Sequence, residues 1–145
     1  MFPMLRFFIK CNPPRSTAQA SKRVGVKKDG KPFSYTDKKG RELEANFTAL
    51  LMPHVPNQPM EGPIKLIIEY RLPFLKAEKK AVVAKGRIYH WKKPDLDNLL
   101  KLFQDTMGRL NFWKDDAQVV ELQMTKIRHK ESGINVIMLG LDETD

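Results

Sequence analysis

From residue 64 to residue 71 the chain reads IKLIIEYR, with Ile64, Leu66, Ile68 and Tyr70 alternating against Lys65, Ile67, Glu69 and Arg71. Alternating side chains lie on opposite faces of an extended strand, so one face of this strand is wholly apolar. Such a face must sit in a sheet that something else covers. A cover is encoded thirty residues on. Leu96, Leu99, Leu100, Phe103 and Met107 recur at three- and four-residue intervals, the one-face pattern of a helix that ends near Gly108. Both periodicities within 145 residues predict a single α+β domain over 1–145 with one real core.

The remaining elements fill in around these two. Met4 to Lys10 reads as a first strand and Phe33 to Tyr35 as a short second one. Thr36 or Asp37 can cap a helix running to about Leu51, with Leu43, Phe47, Leu50 and Leu51 on one face and Pro53 and Pro56 stopping it. Ala117 to Arg128, with Val120, Leu122 and Met124 alternating, and Ile134 to Leu141 read as two strands joined at Lys130 to Gly133. The expected order is β-β-α-β-α-β-β: one mixed sheet with two main helices packed against it. Two stretches, about 11–32 and 73–93, lack periodicity and read as basic loops. The first ends in a hairpin turn around Asp29 and Gly30; the second is a mobile loop with room for one helical turn.

Lys and Arg number 26 against 17 Asp and Glu, a formal net charge of +9. A polyanionic partner follows, nucleic acid ahead of membrane surface because no basic amphipathic helix is evident. The cations of the second loop, Lys76, Lys79, Lys80, Lys85, Arg87, Lys92 and Lys93, are the candidate phosphate contacts, against the alternative of a solvated charge run. Apolar runs are strand-sized, so no membrane span is expected. MFPMLRFFIKC carries Arg6 and Lys10 within it and reads as a strand rather than a signal peptide. Cys11 is alone, which excludes an internal disulfide and fits a reducing, cytoplasmic setting.

The chemistry concentrates in two acidic doublets. In KKPDLDNLLK, residues 92 to 101, Asp97, Lys101 and, further on, Asp105 fall on one helical stripe opposite the apolar face. Asp95 would lie about 160° around from Asp97 if both were helical, so the two carboxylates converge only if Asp95 precedes the first turn. The competing explanation is local: Asp95 caps the helix and Asp97 complements its dipole. In WKDDAQVV, Asp115 and Asp116 stand at the entrance to a strand that returns from the helix, where they can approach the helix start. Several carboxylates gathered in one place repel unless a cation sits among them. Oxygen-only ligation points to Mg²⁺, with Mn²⁺ able to substitute, and away from zinc. His54, His90 and His129 are scattered and are assigned no chemistry. A carboxylate-held Mg²⁺ on a lysine-rich surface suits phosphodiester hydrolysis, with Lys101 neutralising charge on the phosphate. Residue spacing alone does not choose between Asp115 and Asp116.

KPDLDNLLK, then Asp105, then WKDDAQVVE resembles the RusA family of Holliday-junction resolvases, small endodeoxyribonucleases common in phages and prophages. The similarity is dense from Lys93 to about Lys126. By resemblance the metal-binding catalytic carboxylates fall on Asp95, Asp97 and Asp116, with Asp115 a further candidate ligand, and the activity-linked lysine on Lys101. The resemblance also implies a homodimer, magnesium dependence, and paired symmetric nicks across branched DNA in recombination, repair or replication. The stretch CNPPRSTAQASKR and residues 76–85 depart from the family pattern. Aromatic residues Phe74, Trp91, Phe112 and Trp113 are expected to pack rather than stack on bases. Two other functions compete with a junction nuclease: a non-catalytic DNA-binding module whose acids are helix caps, and a nuclease on other branched or single-stranded DNA.

Overall fold

A computed structural model describes residues 3–15 and 22–141, so part of the first basic loop, 16–21, lies outside the described residues. The elements in chain order are β1 (Met4–Lys10), β2 (Lys22–Val26), β3 (Pro32–Thr36), α1 (Lys38–Leu51), β4 (Ile64–Leu72), α2 (Lys80–Ala84), β5 (Arg87–Tyr89), α3 (Leu96–Arg109), β6 (Val119–His129) and β7 (Gly133–Gly140). Five strands form one sheet in the order β1-β7-β4-β6-β5. Only β4 and β6 run parallel; the other neighbours are antiparallel. The architecture is α+β, as expected, and β4 lies at the centre of the sheet.

The alternation in β4 does what its sequence dictates. Ile64, Leu66, Ile68 and Tyr70 are fully buried, and α1 and α3 cover them. Phe103 of α3 meets Phe47 of α1 edge-on at 4.6 Å and Tyr70 of β4 at 6.2 Å between ring centroids, joining the three elements into one core. Asp37 caps α1, its carboxylate accepting from the Gly40 N–H at 2.9 Å. The opposite face of β4 is polar: Arg71 pairs with Glu69 at 2.6 Å and lies over the Phe8 ring.

Two expectations need correction. The first basic loop contains β2, which pairs with β3 as a separate two-stranded ribbon, and the second contains β5 on the sheet edge as well as the expected helical turn, α2. Val24 and Val26 of β2 are exposed, and two valines either side of a glycine in a lysine-rich stretch carry too little pattern to read. The buried arc of α3 is rotated by about 50° from the expected one. Leu102 and Thr106 are inside and Leu96 is exposed, because α3 meets α1 as well as the sheet. As expected, α3 ends near Gly108, at Arg109. The helix closes on Asn111 at φ 66°, with Phe112 N–H donating to the Met107 carbonyl and Asn111 N–H to that of Gly108.

Candidate functional site

The first acidic motif opens α3, after a connection from the end of β5 at Tyr89. Asp95 is the residue before the first turn of α3, extended at φ −72° and ψ 143°, and its backbone carbonyl accepts from the Leu99 N–H. Its side chain makes no capping hydrogen bond. That is not the habit of this chain elsewhere. Asp37 caps α1, and Asp115 caps the 3-10 turn Asp116–Gln118, its carboxylate accepting from Ala117 N–H while the Gln118 side chain accepts from Asp115 N–H. Asp95 therefore keeps its carboxylate for something other than the helix. Among the described residues its one close charge is Lys93 Nζ at 3.8 Å, and its side chain remains 53% exposed. Asp97, in the first turn, is exposed beside it.

The approach to this motif is braced from β6. Lys126 Nζ donates to the carbonyls of Lys92, at 2.8 Å, and Pro94, at 2.6 Å. His90 Nε2 lies 2.7 Å from the Lys93 carbonyl, and Arg128 Nε lies 3.2 Å from His90 Nδ1. Arginine only donates, so Nδ1 accepts and Nε2 carries the proton given to Lys93. Burial, reinforced by the nearby positive charges of Arg128 and Lys126, lowers the His90 pKa against the opposing effect of the Lys93 carbonyl. The imidazole is thereby held neutral in this tautomer. Arg128 is itself paired with Glu78. Residues 92 to 95 are thus tied to the sheet at three consecutive carbonyls.

None of these tethers was identified from sequence. The available signal was Lys126 and Arg128 continuing the alternate positions of Leu122 and Met124 on one face of β6. A charge on the apolar side of a strand needs a partner.

The second acidic doublet lies at the other end of α3. Trp113 Nε1–H donates to Asp116 Oδ1 at 2.8 Å, and a Cβ placed on Gly108 would stand 2.5 Å from that same oxygen. Asp116 therefore rests on the last turn of the helix. Gly108 follows Asp97 by eleven residues on the same stripe as Lys101 and Asp105, which places Asp116 about 16 Å along the axis from Asp97. Among the described residues no three Asp, Glu, His or Cys side chains gather closely enough to hold a metal. The expected approach of the two doublets is thus not made within one chain. The reason is directional: the turn after α3 starts β6 beside the helix's C-terminal end, and it is the far end of β6, at Lys126, that reaches the helix start.

The basic surface divides similarly. Lys76, Lys79, Lys80, Lys85, Lys92 and Lys93 are exposed. Arg87 instead reaches Glu69 at 3.4 Å and lies against Tyr89, on the polar side of the sheet away from α3. Arg15, not singled out in the sequence, lies near the His90 segment. The aromatics also divide: Phe112 and Trp113 are buried as expected, whereas Trp91 is 85% exposed, four residues before Asp95.

Residues 14–138 match the family described as endodeoxyribonuclease RusA. Over 116 residues, 77% of this chain and 82% of the relative, the sequence is 32% identical to the crossover junction endodeoxyribonuclease rusA of Lactococcus phage r1t. Over 126 residues, 83% of this chain and 87% of the relative, it is 27% identical to the uncharacterized protein YqaN of Bacillus subtilis strain 168.

Proposed function

The chain belongs to the RusA family and is an endodeoxyribonuclease, and on that basis we propose that it resolves four-way DNA junctions by paired, Mg²⁺-dependent hydrolysis as a homodimer. The observation that carries the proposal is Asp95, whose carboxylate stands at a helix start without capping it, on a segment tied down at three carbonyls. Helix caps are the alternative explanation of these acids, and that explanation needs the missing hydrogen bond. Mg²⁺ is commonly held by one or two carboxylates together with substrate phosphates, a donor set that Asp95 and Asp97 supply. A bound Mg²⁺ or Mn²⁺ would polarise a phosphoryl oxygen and ionise a water at neutral pH. The chain's own contributions are positional and electrostatic. Lys101, one turn beyond Asp97 on the same exposed stripe, offsets negative charge on the phosphate. The exposed lysines around the helix start draw in the DNA backbone.

Two features support the homodimer. Asp116 is stranded about 16 Å from Asp97 in one chain, and one long sheet edge is bare. On the side of β6 away from β4, β5 pairs only with Ile127, Arg128 and His129, and His90 N–H takes the Lys126 carbonyl. Among the described residues nothing pairs with Val119–Thr125 on that side, where Val120 and Leu122 are 59% and 41% exposed. Open edges of this kind are templates for another strand. An antiparallel pairing of β6 with its own copy, centred on Leu122, would set Val119 opposite the partner's Thr125, filling the bare stretch up to β5. In the same register the partner's Asp116, three residues ahead of its Val119, comes level with Arg128, where the bare edge gives way to β5 and Arg128 contacts His90 of the tethered segment. Each of two sites would draw Asp95 and Asp97 from one chain and the third acid from the other.

The test is cleavage of an end-labelled four-way junction beside its linear arms, with Mg²⁺ or EDTA, for wild type and Asp97→Asn. Paired symmetric nicks confined to the junction, lost in EDTA and in the variant while binding persists, are the expected result. A junction bound but left intact with Mg²⁺ and Mn²⁺ alike would sink the proposal.

A further inference from the structure

Beside the carboxylates, between the end of β4 and the His90–Lys93 segment, lies an open cleft of about 370 Å³. Leu72, Pro73 and Leu75 form its apolar floor; Arg15, Lys92 and Lys93 supply cations along its wall. Among the described residues no carboxylate lines it. His90 and Arg128, which also face it, are the groups that tether the Lys93 carbonyl, so the wall is built before any ligand arrives.

We propose that this cleft receives one unstacked nucleotide of the strand to be cut, its base against Leu72, Pro73 and Leu75 and its phosphates between Arg15, Lys92 and Lys93. An apolar floor with a wall that carries cations and, among the described residues, no carboxylate is complementary to a flat, weakly polar base carrying anionic phosphates. The volume is at the small end for ligand clefts, enough for one nucleotide and too small for a stacked base pair. Lys93 links this cleft to the acids, since it lines the one and lies 3.8 Å from Asp95 of the other. A nucleotide seated here is therefore a near neighbour of a phosphate held at Asp95 and Asp97.

Selectivity for branched DNA follows from this arrangement. Taking a base out of a continuous duplex costs unstacking and unpairing energy, and that cost is least where pairing is already interrupted. A linear arm would have to break a pair to fill the cleft; a branch point offers a loosened nucleotide. The inference rests on the junction proposal and adds the subsite by which a junction would be told from its arms.

The test uses a four-way junction carrying 2-aminopurine at successive positions on either side of each cut, bound by the full chain in EDTA. Unstacking brightens this base, and an aliphatic floor does not quench it. One position is expected to brighten on the junction and none on the linear duplex. Leu75 is 41% exposed, so Leu75→Asp removes little packing and its melting curve should match that of wild type. It should abolish the brightening and weaken junction binding roughly tenfold, by setting a charge against the base, with duplex binding unchanged. Arg15→Ala should lower junction affinity and reduce the salt dependence of binding by about one phosphate contact. A junction that is bound and cut with no brightened position, or brightening that survives Leu75→Asp, overturns the subsite and leaves the nuclease proposal standing. Failure to bind or cut junctions at all overturns both.

Discussion

Replacing Gly108 with alanine tests how the second acidic doublet is seated. A helix-interior glycine exchanged for alanine ordinarily stabilises by about 1 kcal/mol. Here the new Cβ would meet Asp116 Oδ1 at 2.5 Å, with Asp116 Cγ and Trp113 Nε1 both at 3.5 Å. Ordinary contact needs nearly an ångström more, so the carboxylate must swing away and give up its 2.8 Å bond from Trp113. Trp113 is buried, and leaving its N–H without an acceptor costs about 1–3 kcal/mol. The two effects oppose each other, and the loss outweighs the gain: Gly108→Ala should be destabilising by up to about 2 kcal/mol in the wild-type background. In an Asp116→Ala background the clash and the bond are already gone. There the same substitution should stabilise by about 1 kcal/mol, which raises Tm by roughly 3–4 °C for a domain of this size. Denaturant melts of the four proteins give the coupling directly. Junction cleavage by Gly108→Ala should fall with DNA binding retained, since only Asp116 has moved. If Gly108→Ala changes stability equally in both backgrounds, Asp116 does not rest on the helix, and the separation of the two doublets argued from it is wrong.

Other outcomes follow from the same geometry. Trp91→Ala should weaken junction binding by about 1–3 kcal/mol if this exposed ring stacks on a base, and wild-type emission should be quenched by DNA, the buried Trp113 staying silent; unchanged affinity and emission would refute stacking. Lys126→Met removes both donors to the Lys92 and Pro94 carbonyls and should reduce cleavage more than DNA binding, with a stability loss of about 1–3 kcal/mol on melting. Because burial depresses the His90 pKa, the unfolded chain takes up a proton near pH 6.5 while the folded one does not. The unfolded state then binds more protons, so stability should fall as pH drops below about 6.5 until the lower folded pKa is passed. His90→Gln should flatten that fall; an unaltered pH profile would show that His90 does not titrate in this way.

The elements that bury a face were the most legible in the chain; of those that do not, β3 was read from Phe33 and Tyr35 while β2 and β5 were hidden. β4 and α3 announce themselves through Ile64, Leu66, Ile68, Tyr70 and Leu99, Phe103, Met107, because burial on one side is what imposes a period on sequence. β2 and β5 bury little: the hairpin turn at Asp29 and Gly30 was legible, but neither the strand that enters it nor the edge pairing of β5 leaves a local mark. The alternation of Val120 and Leu122 was equally visible, but their exposure was not: periodicity records that a face wants covering, not whether the same chain covers it. Trp91 misled for a related reason, since an aromatic residue in a polar segment carries no sign of which way it points.

What the sequence by itself determined was the chemistry on offer: a basic α+β domain, carboxylates in two doublets, a lysine one turn from Asp97, and the family to which the pattern points. Composition and spacing are properties of the chain, and they survive any arrangement of it. Only the tertiary structure decided which acids stand together. The turn at Asn111 sends β6 away beside the last turn of α3, leaving Asp116 against Gly108, while Lys126 and Arg128 at the far end of the strand reach back to hold residues 92 to 95. Those contacts join residues more than thirty apart, and local preference has no means of encoding a meeting that depends on where a whole strand ends.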